Sequence, residues 1–131
     1  MSDLNKIKLF LVEDDSFSLE VMKDRFTDNP RLDVFAFETA EDCIAKLDEN
    51  PAIVVLDYYL DKVNKDAMNG KAGLKIILEK VPTAKVIMLT GQDTLEIAED
   101  LMLNGAYYYI TKDENALNIL EKKINYIISF I

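Results

Sequence analysis

Histidine does not occur anywhere in the 131-residue chain. Its absence removes imidazole acid–base catalysis, Ser-His triads and His-ligated zinc, and any phosphohistidine the protein uses must come from another molecule. Cysteine occurs once, at Cys43, so no intrachain disulfide can form and a reducing cytoplasm is the expected setting. Cys43 sits between Asp42 and Ile44 in a helical pattern, which reads as a small packing residue rather than a catalytic thiol. Positive charge is short: 15 basic side chains face 24 acidic ones, a net charge of -9. That balance argues against a nucleic-acid or anionic-membrane surface and favours a metal cation or a basic partner. No apolar run approaches the roughly 18 residues of a membrane span, and the start Met1-Ser2-Asp3-Leu4-Asn5-Lys6 lacks the form of a signal peptide. Internal repeats, low-complexity tracts and Pro-, Gly- or Ser-rich linkers are missing too.

Half of the residues are apolar, enough to bury the core of one domain, expected to span 1–131. Five short runs rich in β-branched or aromatic residues alternate with segments of helical period, as in an α/β domain with a parallel sheet. The strands are expected at 7–12, 33–37, 53–56, 85–89 and 107–111. Ile53-Val54-Val55-Leu56 and Val86-Ile87-Met88-Leu89 do not alternate polar with apolar, so both faces of these central strands should be covered by helices. Leu19, Met22 and Phe26, then Ala40, Ile44 and Leu47, then Leu74, Ile77 and Leu78 carry the helical spacing. Ser16, Thr39 with Asp42, and Asp93 with Glu96 are expected to open helices, and Asn104-Gly105 to close one.

Ligands of an open parallel sheet bind beyond the carboxyl ends of its strands. Those ends read Glu13-Asp14-Asp15, Asp57, Thr90-Gly91 and Thr111-Lys112. Three carboxylates meeting at one edge are costly unless a hard, oxygen-seeking cation such as Mg²⁺ neutralises them. With the Lys112 ammonium, the Thr90 hydroxyl and backbone N–H groups around Gly91, the set suits phosphoryl transfer, in which positioning and charge neutralisation carry nearly all the catalysis. Asp15 reads instead as a helix cap.

From Ile7 to about Ile128 these residues resemble the receiver domain of response regulators. Val12-Glu13-Asp14 matches the family's acidic pair, Asp57 its phosphoacceptor, Thr90 its hydroxyl, Tyr109 its aromatic switch residue and Lys112 its lysine. The resemblance implies a flavodoxin-like, doubly wound (βα)₅ fold with strand order 2-1-3-4-5. It implies Mg²⁺ (or Mn²⁺) bound by Asp14, Asp57 and the backbone carbonyl of Tyr59, with Glu13 acting through water. It implies phosphate contacts from the backbone at Tyr58 and Gly91, and a histidine kinase or histidine phosphotransfer protein as phosphoryl donor. Tyr59 and Gln92 fall where the family tunes hydrolysis, and a long-lived phosphoryl state is expected. Signalling is expected through helix four, strand five and helix five, bearing Glu96, Glu99, Asp100, Leu103, Tyr107 and Lys122, with homodimerisation through the same face. The stretch 105–114 is similar to receivers that precede AAA+ transcription-activator modules, although no DNA-binding element lies in the chain.

The chain also departs from the family pattern. Leu60-Asp61 replaces a common Met-Pro, and the connection from Tyr58 to Asn69 is about five residues longer than usual; it reads either as a partner-recognition element or as a tolerated insertion. Asp113 follows Lys112 where the family has a cis proline, so that peptide is expected to be trans. The apolar run Ile124–Ile131 exceeds one buried helix face, pointing to a dimer contact or a further domain. A phosphatase-like site would need a second aspartate where Tyr59 stands, and a nucleotide-binding protein would need a G-x-x-x-x-G-K-[ST] loop that is missing. The competing reading is a pseudo-receiver that binds a protein without being phosphorylated.

Overall fold

A computed structural model describes residues 6–62, 64–91 and 94–131. In chain order the elements are β1 (Ile7–Val12), α1 (Ser16–Thr27), β2 (Leu32–Phe37), α2 (Ala40–Ile44), a 3₁₀ turn (Leu47–Glu49), β3 (Ile53–Asp57), α3 (Gly70–Lys80), β4 (Lys85–Thr90), α4 (Leu95–Leu103), β5 (Tyr108–Thr111) and α5 (Ala116–Ile128). The strands form one parallel sheet in the order β2-β1-β3-β4-β5. This is the expected doubly wound, flavodoxin-like topology.

Side chains of a strand alternate between faces, so the continuous apolar runs feed two cores. Leu9, Leu11, Ile53, Val55, Ile87 and Leu89 pack with α1 and α5 on one side. Phe10, Val12, Val54, Leu56, Val86 and Met88 pack with α2, α3 and α4 on the other. All five residues of β3 are buried, including Asp57 at its end. The Phe10 ring lies 5.1 Å from Phe35 and 5.0 Å from Phe37, tilted contacts that tie β1 to the edge strand and are worth about 0.5–1.5 kcal/mol each beyond area burial.

The helix starts follow local hydrogen-bond chemistry. Asp15, not Ser16, caps α1: its carboxylate accepts from the Ser18 amide at 3.3 Å and from the Ser18 hydroxyl at 2.6 Å. A charged acceptor outcompetes the neighbouring hydroxyl for the exposed amides, and Ser16 becomes the first helical residue. Thr39 caps α2 as expected, accepting from Asp42 N at 3.1 Å. Thr94 caps α4; Asp93, expected there, lies outside the described residues. Gly105 closes that helix at φ 103°, a left-handed conformation that a side chain would strain. Helix α2 is only five residues long and Leu47 lies in the 3₁₀ turn after it. Tyr107 stands just before β5, its amide donating to Val86 O at 2.7 Å. At the C-terminus Leu120, Ile124, Ile127 and Ile128 are buried, whereas Tyr126, Phe130 and Ile131 are exposed, so core packing accounts for only part of that apolar run. Among the described residues no helix is long and apolar enough to cross a membrane.

Candidate functional site

The carboxyl ends of β1, β3, β4 and β5 form one edge of the sheet, and the parallel register sets their side chains next to one another. Glu13 and Asp57 are each 1% exposed, Asp14 is 8% exposed and Thr90 is fully buried. Carboxylate oxygens of Glu13, Asp14 and Asp57 lie within 4.8 Å of one another. Such an arrangement is paid for by cations or hydrogen bonds, because burial and mutual repulsion both oppose ionisation. Lys112 supplies one cation: its Nζ donates to Glu13 Oε1 at 2.8 Å and to Asp57 Oδ2 at 3.2 Å. Backbone amides contribute as well. Asp15 N donates to Glu13 Oε2 at 3.1 Å, Tyr59 N to Asp57 Oδ1 at 3.3 Å and Lys62 N to Asp14 Oδ2 at 3.1 Å.

Burial pushes the Glu13 carboxyl above its ordinary range, the Asp57 charge adds to that, and the Lys112 hydrogen bond only partly offsets both. For Lys112, burial works against the charge but is outweighed by the hydrogen bond to Glu13 and the attraction of Asp57 and Glu13, so the ammonium is held above its usual value. Three acids against one ammonium leave an excess of negative charge aimed at one spot. An all-oxygen donor set of this kind fits a hard divalent cation such as Mg²⁺ or Mn²⁺ and does not fit a thiolate- or imidazole-seeking metal.

The sequence-based set therefore falls into groups. Glu13, Asp14, Asp57 and Lys112 come together directly. Thr90 ends β4, its carbonyl accepting from Lys112 N at 2.8 Å, and so helps to seat the lysine's backbone. No cis peptide occurs among the described residues, so the bond from Lys112 to Asp113 is trans, as expected without proline. Tyr109 is half-buried and packs on the core shared with α4, whereas its neighbour Tyr108 packs on the α5 side. The Tyr59 ring packs edge-on against Tyr58 at 4.8 Å, with Lys62 Nζ 5.4 Å from its centroid. Gly91 is exposed and has open space around it; Gln92 lies outside the described residues.

The two backbone amides after Asp57 are placed differently. The Tyr58 amide donates to Leu89 O at 2.7 Å, extending the β3–β4 ladder. The amide that faces Asp57 is that of Tyr59, one residue on, where the chain leaves the sheet. Two contributors carried no sequence signal strong enough to name: the Lys62 amide on Asp14, and Gly70, whose N–H donates to Tyr58 O at 2.9 Å. A Cβ at Gly70 would lie 2.3 Å from Asp57 O and 2.6 Å from Tyr58 Cα.

A family model described as response regulator receiver domain matches residues 9–124. The chain is 31% identical over 116 residues to the chemotaxis protein CheY of Listeria monocytogenes, covering 88% of this chain and 93% of that protein. It is 26% identical over 122 residues to a protein-glutamate methylesterase/protein-glutamine glutaminase of Thermotoga maritima, covering 90% of this chain and 34% of that protein. It thus spans about a third of the length of that larger relative. Among solved structures, the CheY-like response regulator receiver domain protein of Methanospirillum hungatei superposes with a TM-score of 0.76 at 27% identity, covering 95% of each chain.

Proposed function

The chain belongs to the response regulator receiver domain family, and from that premise we propose that it is a phosphorylation switch with Asp57 as phosphoacceptor. The observation that carries the reading is the meeting of three buried carboxylates with a lysine bonded to Asp57. A histidine kinase or histidine phosphotransfer protein presents phosphohistidine, which this chain cannot supply from its own residues. An Asp57 carboxylate oxygen attacks the phosphorus in line; a P–O bond forms as the N–P bond breaks, and the electron pair leaves on the donor's imidazole. Lys112 exchanges part of its bonding to Glu13 and Asp57 for a phosphoryl oxygen, and the Tyr59 amide faces another. Asp14 and Asp57, with the Tyr59 carbonyl and with Glu13 through water, would hold Mg²⁺ or Mn²⁺, which when bound neutralises charge on the transferring group.

The new phosphoryl group adds roughly 1.5–2 negative charges to an acid-rich site. Thr90 moves toward a phosphoryl oxygen, Tyr109 follows it inward, and the surface of α4, β5 and α5 changes for its target or for a second copy of the chain. A bias of about 1–3 kcal/mol between two conformers is enough. Tyr59 covers the acyl phosphate and slows its hydrolysis. Loss of label within seconds in Mg²⁺ buffer would contradict that last point.

The decisive experiment is intact mass after incubation with acetyl phosphate and Mg²⁺, alongside Asp57→Asn and a chelator control. A metal-dependent gain of one phosphoryl group that disappears in the variant is expected. No gain in any sample would leave a binding module that works without phosphorylation.

A further inference from the structure

The long connection between β3 and α3 is tied down at two acidic side chains. Lys62 N donates to Asp14 Oδ2 at 3.1 Å, bridging 48 residues of sequence, and Met68 N donates to Glu41 Oε2 on α2 at 2.9 Å. Between strand and tether, Leu60 is 1% exposed and sits in the core shared by α2 and α3. Asn64 closes a turn that accepts from Asp66 N at 3.0 Å and Ala67 N at 3.0 Å. Asn69 then caps α3. A merely tolerated insertion would bulge into solvent; this one spends backbone donors on the sheet-edge acid and on a neighbouring helix.

We propose that the described parts of the 58–69 connection, 58–62 and 64–69, act as a positioning strap for Asp14: the Lys62 amide helps to fix the plane of that carboxylate, and the Glu41 anchor holds the far part at Met68. The proposal rests on the reading of Asp14 as a metal ligand. A cation such as Mg²⁺ demands near-octahedral geometry, so the orientation of each carboxylate enters its affinity directly, and groups that orient ligands commonly change affinity by about 10–100-fold. The donor is a backbone N–H, so the side chain at 62 is free to vary while the orientation is kept. Glu41 is a positioning residue acting at one remove, through Met68 and the strap.

Mg²⁺ affinity measured by calorimetry on the full chain separates these roles. Lys62→Pro deletes the N–H and is expected to weaken Mg²⁺ binding about tenfold, whereas Lys62→Ala keeps the N–H and should bind as the wild type does or slightly more tightly. Glu41→Ala releases the second anchor and should weaken binding by a smaller factor; Glu41→Gln keeps an acceptor oxygen and should restore it, which a charge effect would not. If Lys62→Pro binds Mg²⁺ as tightly as the wild type, or if Lys62→Ala is impaired equally, the strap is refuted while the metal site stands. If the wild type itself fails to bind Mg²⁺, the metal reading falls and the strap with it. Circular dichroism of each variant without metal guards against misfolding, and Glu41→Ala, an exposed helical change, carries the test should Lys62→Pro not fold.

Discussion

Replacing Gly70 by alanine adds one carbon, and the structure fixes what that carbon meets. It would stand 2.3 Å from Asp57 O, 2.6 Å from Tyr58 Cα and 2.9 Å from Tyr58 O. All three are backbone atoms, so no side chain can turn aside. Against an ordinary C···O contact of about 3.3 Å the shortfall is about 1 Å, and α3 must retreat or the end of β3 must bend. Overpacking of this kind costs about 1–3 kcal/mol, and loss of the Gly70 N–H to Tyr58 O bond adds about 1 kcal/mol. Helix propensity returns little, because Gly70 is the first residue of α3. A net loss of about 2–4 kcal/mol should lower the thermal midpoint by about 10 °C. The displaced backbone is that of Asp57, and a misplacement of about 1 Å can cost about 10²-fold in rate, so phosphorylation by acetyl phosphate should slow even where the variant is folded. Two other glycines calibrate the result. At Gly91 a Cβ meets nothing within 4 Å among the described residues, and Gly91→Ala should stay within about 0.5 kcal/mol of wild type. At Gly73 it meets Ala40 Cβ at 3.1 Å, a mild clash that helix propensity offsets to within about 1 kcal/mol. Calorimetric or circular dichroism melting of the three variants checks the order. A Gly70→Ala midpoint equal to that of Gly91→Ala would refute the close-approach argument.

Lys112→Met keeps the aliphatic stem but leaves Glu13 and Asp57 without their cation; denaturant titration in chelator should show a loss of about 2–3 kcal/mol, largely recovered by Mg²⁺. In metal-free buffer the raised Glu13 carboxyl makes stability pH-dependent in an unusual direction. Its folded pKa lies above the unfolded value, so the native chain holds that proton longer; the associated stability is present below the ordinary value of 4.5 and is lost as pH rises through the folded pKa. Glu13→Gln should remove that slope from melting curves taken above pH 4.5, and an unchanged slope would show that another group sets it. Cys43 is fully buried and burial pushes its thiol up to about 12. A disulfide reagent at mildly alkaline pH should therefore label it only after unfolding, and rapid native-state labelling would contradict that environment.

The strands were legible because a buried parallel sheet needs continuous apolar runs, their order came from the family resemblance, and the candidate site was legible because the runs are followed by or end on Glu13, Asp57, Thr90 and Thr111. At the α1 cap the sequence offered both Asp15 and Ser16, and the charged acceptor, Asp15, takes the position. Which of the Tyr58 and Tyr59 amides leaves the ladder depends on where β3 stops pairing with β4, and adjacent tyrosines carry no mark of it. Contacts made by backbone N–H groups, such as Lys62 on Asp14 and Met68 on Glu41, leave no trace in residue identity at 62 or 68. They become visible only once the chain is folded.

Helix α4 is held unlike its neighbours. It has one buried side chain, Leu101, where α3 has two (Leu74 and Ile77) and α5 four (Leu120, Ile124, Ile127 and Ile128), and it exposes Leu95, Met102 and Leu103. An ion pair from Lys71 to Asp100 at 2.7 Å joins it to α3, but pairs this exposed contribute little. A helix with so thin an anchor is expected to open locally below the free energy of global unfolding. Its amide protons should exchange with deuterium ahead of those of α3 and α5, so that, of these helices, α4 is the one a small input of free energy is expected to loosen first.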